Sequence, residues 1–409
     1  MKQILKAFLT GVMVLMSLNA VAQEFITVSG TVIDRESGAP LSGANIVLRG
    51  TGIGTVTNAE GLFSLVFPSD SPSNKIEISH LGYANETLSL PVKRAEVKMR
   101  KINSELRAAV IYGGDARNLV EEALSKISDN YSVTQDMLSA FYRETLQKGR
   151  RYIQISEAFM DVSKGPYTMR HPGRDRVQVK KGRSLVSGRN RDTLSVKVAG
   201  GPNLAVLQDF VKNENFFLHR EELESYDFMV LRTVYFNDRN QFEVHFQPNV
   251  ILEYPLFSGV LYIDVENLTI TRAEIELDMS DKEKVSKVIL QRKPFGLRFN
   301  PQKVAFTIAY RQDGGRSFLS YVRNEMSFRC DWRKRLFYAT YSAVSEMVSV
   351  DRNVNSDFIV NKQDAFRAKD AFSDMVLQYW DEDFWAGYNI IEPTESLERA
   401  VGRLRRSVK

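Results

Sequence analysis

The chain has 409 residues, with 55 Lys and Arg against 50 Asp and Glu, so its formal net charge is only +5. A charge so close to balance does not favour nucleic acid as a partner. The length predicts two or three domains with ample hydrophobic core, and the single cysteine, Cys330, excludes an intrachain disulfide.

The first 22 residues have the pattern of a secretory signal. Lys2 and Lys6 precede an apolar stretch at residues 7–18, and small residues end at Ala22. The stretch is too short to span a bilayer, which needs about 20 apolar residues. We therefore predict cleavage after Ala22 and export, with the protein in the periplasm or associated with the outer membrane. We predict no transmembrane segment in the remaining chain.

Residues 25–101 predict a small all-β sandwich. Short β-type runs alternate with clusters of Gly, Pro, Asn and Asp, and Phe63, Leu65 and Phe67 share one face of their run. Glycines 50, 52 and 54 are interpreted as turn residues. The runs are residues 26–33, 44–49, 62–67, 75–80 and 86–92.

The order of motifs in this region resembles the carboxypeptidase regulatory-like domain. That resemblance implies a seven-stranded, transthyretin-like sandwich without catalytic residues, often placed ahead of envelope proteins such as receptors energised through TonB. Asn58 departs from the family, in which aspartate is common, and this weakens any metal interpretation. The motifs are Ser29-Gly30-Thr31-Val32-Ile33-Asp34, Pro40-Leu41-Ser42-Gly43-Ala44-Asn45-Ile46, Gly50-Thr51, Gly54-Thr55, Gly61-Leu62-Phe63 and Leu81-Gly82-Tyr83.

Residues 102–117 are predicted to be a linker, and residues 118–409 a β-rich C-terminal domain of unknown function. Asp115 is a candidate N-cap for a helix at this boundary. Period-two runs then predict long antiparallel strands at residues 152–162, 177–179, 228–235, 242–246, 259–265, 269–277, 303–310 and 318–328. The hairpin through Asn267 and Leu268 is similar to the curved, half-open sheet of periplasmic lipoprotein carriers.

The chain ends in a predicted amphipathic helix that begins near Glu395 and presents Leu397, Ala400 and Leu404 on one face. Residues 330–333 and 388–393 also resemble a group of exported proteins of unknown function, which names no activity. The predicted fold is therefore mainly β: a seven-stranded sandwich, a larger antiparallel β-rich α+β domain and a C-terminal helix. We expect the sandwich and the larger domain to fold independently.

Two candidate chemistries stand against a structural interpretation. His219 and Glu222 have the spacing of two zinc ligands in metallocarboxypeptidases, but His80, His171 and His245 lie in other contexts. Cys330 has no histidine nearby in sequence and is interpreted as a buried or idle thiol. The sequence thus predicts no catalytic, metal or cofactor-binding residues.

Two segments could form surfaces for partners. Residues 164–191 are basic and could meet an anionic surface, although balance by acids elsewhere in the fold is the simpler interpretation. Residues 375–385 are aromatic and acidic, and could fill the end of a core or contact a partner. The basic residues are Lys164, Arg170, Arg174, Arg176, Lys180, Lys181, Arg183, Arg189 and Arg191, with Asp175 the only acid singled out among them.

These observations predict an exported, non-catalytic envelope protein that binds or docks an envelope protein, a carbohydrate or a lipid ligand. One alternative is a periplasmic metal-dependent hydrolase acting through His219 and Glu222. Another is a carrier of lipid or lipoprotein, which requires a concave apolar pocket.

Overall fold

A computed structural model describes residues 24–102, 114–171, 173, 175–188, 196–332, 338–367, 370–380 and 390–408. The predicted signal at residues 1–22, its cleavage site and the linker from residue 103 to residue 113 lie outside the described residues.

The N-terminal part is a seven-stranded sandwich, as predicted. One sheet has the order β4-β1-β7 and the other the order β3-β2-β5-β6. Phe63, Leu65 and Phe67 meet Ile46, Ile76 and Ile78 in the core between the sheets. The strands are β1 Phe25–Asp34, β2 Asn45–Leu48, β3 Gly54–Val56, β4 Leu62–Pro68, β5 Lys75–Ser79, β6 Glu86–Ser89 and β7 Arg94–Met99.

The C-terminal part is built on one ten-stranded antiparallel sheet, which confirms the predicted long antiparallel strands. Its order is β10-β9-β8-β19-β18-β17-β15-β14-β13-β12. The strands are β8 Asp136–Lys148, β9 Arg151–Lys164, β10 Arg176–Val186, β12 Tyr226–Phe236, β13 Arg239–Pro248, β14 Phe257–Asp264, β15 Ile270–Leu277, β17 Leu297–Asp313, β18 Arg316–Trp332 and β19 Ala339–Val354. A separate pair joins β11 Lys197–Val198 to β16 Leu290–Arg292.

The predicted hairpin is β14 and β15. Its turn is set by Asp264, whose Oδ1 accepts hydrogen bonds from the backbone N–H groups of Glu266 (2.9 Å) and Asn267 (3.2 Å). Leu268 completes the reversal with a positive φ of 60°. A local side-chain bond thus takes the place of the glycine that such a turn commonly uses.

Short helices accompany the large sheet. Asp115 caps the first of them, as predicted, because its Oδ1 accepts from the Arg117 N–H at 2.9 Å. Among the described residues no helix is both long and apolar enough to cross a membrane. The helices are α1 Ala116–Ser125, α2 Ile127–Asn130, α3 Pro202–Leu207, α4 Lys282–Ile289, α5 Phe372–Met375 and α6 Glu395–Val408, and 3₁₀ turns occupy Arg220–Ser225 and Val376–Tyr379.

The inner face of the sheet, which we define as the face bearing Tyr142, Met160 and Met347, is filled by packed side chains. Helix α1 contributes Leu119 and Leu124 to this core, and the segment that follows α3 contributes a layer of aromatic rings. Within that layer Phe217 lies 5.0 Å from Phe246 and 5.2 Å from Phe257, measured between ring centroids. The rings occupy the space that a concave ligand pocket would need.

A buried charge cluster, the Lys164 cluster, ties two loops to the inner face. Lys164 at the end of β9 lies 2.9 Å from Asp175 and 2.6 Å from Asp209. Lys212 lies 3.6 Å from Asp175 and donates to the Gly165 carbonyl at 2.8 Å. These four side chains are at most 2% exposed, so their opposite charges compensate one another in place of water.

Asp209 is the centre of the cluster. Besides Lys164, it accepts from the hydroxyls of Tyr167 at 2.8 Å and Tyr310 at 2.9 Å. Burial acts to lower the pKa of Lys164, but Asp175 and Asp209 outweigh it and raise that pKa above its ordinary value. Burial, followed by the charge of Asp209, raises the pKa of both tyrosines far above the usual range. The two carboxylates therefore favour the charged form of Lys164, whereas burial lowers the pKa of Lys212 below its ordinary value.

Replacing Asp209 by Asn should destabilise the protein by about 3 to 5 kcal/mol, because Lys164 would keep its buried charge while losing one of its two partners. The matched control is Asp161→Asn, which breaks the half-exposed pair with Lys180 at 3.2 Å and should cost about 0 to 1 kcal/mol. Urea unfolding followed by circular dichroism measures both. Equal losses in the two variants would contradict the assignment of Asp209 as a core element.

Candidate functional site

The histidines and Glu222 have separate structural contacts. His219 caps the 3₁₀ turn at Arg220–Ser225, and Glu222 accepts from the Tyr254 hydroxyl at 2.7 Å. His245 Nε2 lies 2.8 Å from Glu243 Oε1. Among the described residues no three His, Cys, Asp or Glu side chains are grouped to hold a metal ion. The structure thus places His219 at a helix start, which is the simpler interpretation of the motif.

Cys330 lies buried on β18 among Leu297, Phe328 and Tyr341. Burial raises the pKa of its thiol to about 11. Since only the thiolate is a strong nucleophile, this environment holds Cys330 in its unreactive form at neutral pH.

The basic segment is largely neutralised within the fold. Arg183 lies 2.5 Å from Glu157 and Lys180 lies 3.2 Å from Asp161. Arg170 pairs with Glu214 at 3.5 Å, and Arg176 donates to the Val360 carbonyl at 2.9 Å. Lys164 is buried, and it is balanced by Asp175 and Asp209. Arg174, Arg189 and Arg191 lie outside the described residues.

The aromatic segment fills a core where it is described. Val376 is fully buried, and Met375 and Tyr379 pack against the inner-face core. Leu377 and Trp380 remain about half exposed, at 52% and 51%. Residues 381–385 lie outside the described residues.

The sandwich meets the outer face of the large sheet through a turn whose glycines approach other chain segments closely. A Cβ added at Gly52 would lie 2.8 Å from the Arg352 backbone nitrogen, and one added at Gly54 would overlap Arg311 Nη1. Of glycines 50, 52 and 54, only Gly50, with φ of +71°, has the positive φ of a turn glycine. The interpretation of all three as turn residues is therefore corrected: Gly52 and Gly54 permit contact between the two parts.

Two arginines on the sheet complete this contact. Arg311 donates through Nη2 to the Gly52 carbonyl, and burial lowers the pKa of Arg311 to about 10. Arg352 donates to Asp136 at 2.8 Å. Both guanidinium groups stack over Phe318, at 5.2 Å and 4.7 Å from its ring centroid, so one ring orients both cations.

The C-terminal segment adds a second attachment. Asn58 Nδ2 donates to the Glu392 carbonyl at 3.0 Å, and Thr55 Oγ1 donates to the Ile390 carbonyl at 3.2 Å. The Glu60 carboxylate accepts from the Glu395 N–H at 2.9 Å, at the start of α6. An aspartate in place of Asn58 could not donate this bond, so the departure from the family pattern has a structural reason.

The contact between the two parts leaves a small polar cleft of about 110 Å³, lined by Glu77, Arg239, Gln241, Asp264 and others. Arg239 and Asp264 lie 3.6 Å apart there. Pockets for small organic ligands commonly measure about 300 to 1,000 Å³. This cleft is therefore too small to enclose such a ligand.

A larger groove of about 530 Å³ opens at the end of the sheet where β17 begins. Three cations line it, Lys282, Lys293 and Arg298, together with Glu283 and Phe295. The Phe295 ring is 98% exposed. The groove combines positive charge with apolar surface, which is the chemistry of binding an anionic, partly apolar partner. Sequence analysis did not single it out, although Phe295 stands between Lys293 and Arg298 in the chain.

Comparison with known families identifies the N-terminal part. The family model of the CarboxypepD_reg-like domain matches residues 28–111, so the predicted resemblance is confirmed and the chain carries such a domain. A 138-residue stretch is 35% identical to the TonB-dependent receptor SusC of Bacteroides thetaiotaomicron. That match covers 31% of this chain and 13% of the receptor, so the chain spans only a small part of that relative's length.

Two solved structures of low overall similarity were also found. A DUF1329 family protein of Desulfovibrio piger is 10% identical with a TM-score of 0.26, covering 60% of this chain and 95% of that one. A putative membrane-associated protein of unknown function from Bacteroides fragilis is 10% identical with a TM-score of 0.15, covering 81% and 99%.

Replacing Gly52 by Ala should loosen the sandwich from the sheet, because the new methyl group would meet the Arg352 backbone, which cannot rotate away. We expect a loss of about 1 to 3 kcal/mol in unfolding free energy and faster hydrogen exchange at residues 45–56. The control is Gly402→Ala on the exposed side of α6, where an added Cβ would meet no atom within 4 Å beyond the neighbouring residues and the helix's own backbone and alanine should stabilise by up to about 1 kcal/mol. Unchanged exchange at residues 45–56 would rule out this contact as a determinant of stability.

Proposed function

We propose that this chain is an exported, non-catalytic protein of a Gram-negative cell envelope that binds or docks an envelope partner through its large domain. The groove at the end of the sheet carries the proposal, because it joins Lys282, Lys293 and Arg298 to an exposed Phe295 ring. These groups recognise a partner by charge and apolar contact, and they include no nucleophile paired with a base.

The envelope compartment is supported by sequence. The first 22 residues have the order of a secretory signal, and a 138-residue stretch of the chain is 35% identical to a relative named as a TonB-dependent receptor. In this chain the sandwich is fixed to the sheet by the contacts of Gly52, Arg311 and Asn58. It therefore acts as a rigid support for the large domain.

Export is tested by fractionation of cells that express the full chain, followed by N-terminal sequencing. We expect the protein in the envelope or periplasmic fraction, beginning at Gln23. A cytoplasmic protein that retains Met1 would remove the compartment from the proposal.

The metal-dependent hydrolase is the first alternative, and it depends on His219 and Glu222. Their bonds to the Glu221 N–H and to the Tyr254 hydroxyl favour a structural role. We expect elemental analysis of the purified protein to find no stoichiometric zinc, and His219→Ala to leave the metal content unchanged. Stoichiometric zinc that is lost in this variant would establish the hydrolase alternative instead.

The lipid carrier is the second alternative. The packed aromatic layer around Phe217 on the inner face argues against an acyl-chain pocket there. Native mass spectrometry after gentle purification should therefore show the apoprotein mass, whereas a co-purified lipid of defined mass would favour the carrier.

A further inference from the structure

The end of the large sheet beside the groove carries exposed apolar side chains on three neighbouring segments. Ile251, in the loop between β13 and β14, is 92% exposed, and Phe295, just before β17, is 98% exposed. Val288 on α4 is 55% exposed. Exposure of large apolar side chains costs hydration free energy, and a group of them at one place commonly marks an interaction surface.

Helix α4 brings these segments together. Lys284 donates through Nζ to the Leu252 carbonyl at 2.5 Å, which joins the helix to the Ile251 loop. Lys282 and Ser286 on the same helix line the groove opposite Phe295. Val285 and Ile289 are buried against Leu277 and Val304 of the sheet, so the helix is fixed and its exposed side faces outward with the two loops.

The charge around the apolar residues is mainly positive, although Glu283 lines the groove and the exposed Glu253 follows Ile251 by two residues. From residue 284 to residue 300 the chain contains five basic residues and no acid. Lys197 of β11 adds a sixth cation, because it lies directly opposite Arg292 of β16 in the two-stranded pairing. Asp281 and Glu283 lie just before this stretch, and the Asp281 carboxylate is bonded to the N–H groups of Glu283 and Lys284. The five basic residues are Lys284, Lys287, Arg292, Lys293 and Arg298.

We propose that this end of the sheet docks peripherally on an anionic phospholipid bilayer. Ile251 and Phe295 enter the boundary between headgroups and acyl chains, and the surrounding Lys and Arg side chains contact the lipid phosphates. The compartment in which this occurs rests on the proposed function, whereas the affinity for the bilayer rests on the surface itself.

The shape of the surface favours a bilayer over a folded protein. Ile251 and Phe295 are almost fully exposed at separate loop tips on either side of α4, whereas protein interfaces concentrate their binding energy in a packed central patch. Lys and Arg can extend their alkyl stems along an apolar surface while the charged ends reach phosphate. Protruding apolar tips surrounded by cations therefore match an interfacial position.

The test is co-sedimentation of the signal-free chain with two kinds of vesicle, phosphatidylcholine alone and phosphatidylcholine with about a quarter phosphatidylglycerol. We expect binding to the anionic vesicles, and weaker binding as salt rises and screens the charges. Phe295→Ser should reduce the affinity about tenfold, because it removes the aromatic side chain that enters the bilayer interface. Lys293→Glu should reduce it about fivefold or more, since each cation near the surface contributes roughly that factor.

Matched controls come from the sandwich. Phe25 is 51% exposed and Arg94 is exposed, so Phe25→Ser and Arg94→Glu change the same chemistry elsewhere and should leave binding unchanged. Equal binding to both vesicles, no binding to either, or equal losses in the control variants would overturn the inference. So would displacement from the vesicles by inorganic phosphate at constant ionic strength, which would identify a site for free anions.

This outcome is separable from the proposed function. If the protein is exported but does not bind anionic vesicles, the proposed function stands and this inference is contradicted. If the protein binds the vesicles but remains in the cytoplasm with Met1, the proposed compartment is contradicted and the bilayer-binding surface stands.

Discussion

The close approach of the Gly52 backbone to Arg352 on β19 is the constraint on which the arrangement of the two parts depends. Any side chain at Gly52 would meet backbone atoms, and only this proximity lets Arg311 reach the Gly52 carbonyl. Arg311 loses hydration on burial, and its contacts with the Gly52 carbonyl and the Phe318 ring compensate in part for that loss. A contact between two domains with these features has one geometry and leaves little freedom to slide.

The middle strands of the large sheet are covered on both faces. The inner face is closed by α1, the aromatic layer around Phe217 and the Lys164 cluster. On the outer face, Val56 of the sandwich packs with Val348 and Ile391, and α6 packs beside them with Leu397 against Ile155. The exposed groove beside α4 lies at one end of the strands, away from these contacts.

Local patterns predicted the parts of the fold that local physics decides. Alternating Phe63, Leu65 and Phe67 identified a strand with one core face, and the Asn267-Leu268 reversal identified a hairpin. Strands β8 and β19 were not singled out, because both lie mid-sheet with both faces covered, and for β8 this burial of both faces blurs the period-two signal. Lys164 appears in sequence as one of many surface cations, since nothing local shows that Asp209 will enclose it.

The candidate site was harder to predict for the same reason. Gly52 resembles any turn glycine until the sheet that it contacts is known, and the donor role of Asn58 depends on a carbonyl 334 residues away. The groove joins Lys282 to Arg298 across a helix that sequence analysis did not predict. Motifs with a recognised spacing, such as His219 and Glu222, drew attention although their contacts are structural.

The central claim is that the sandwich and the sheet form one unit, although each part is expected to fold alone. The most direct measurement compares the thermal midpoint of the fragment from Gln23 to Lys101 with that of the same sandwich in the full chain, followed by hydrogen exchange at residues 45–56. The account predicts that the fragment unfolds cooperatively but at a lower temperature than within the full chain, because it has lost the contacts of Gly52, Asn58 and Glu60. Identical midpoints would mean that the interface contributes no stability, and would contradict the account.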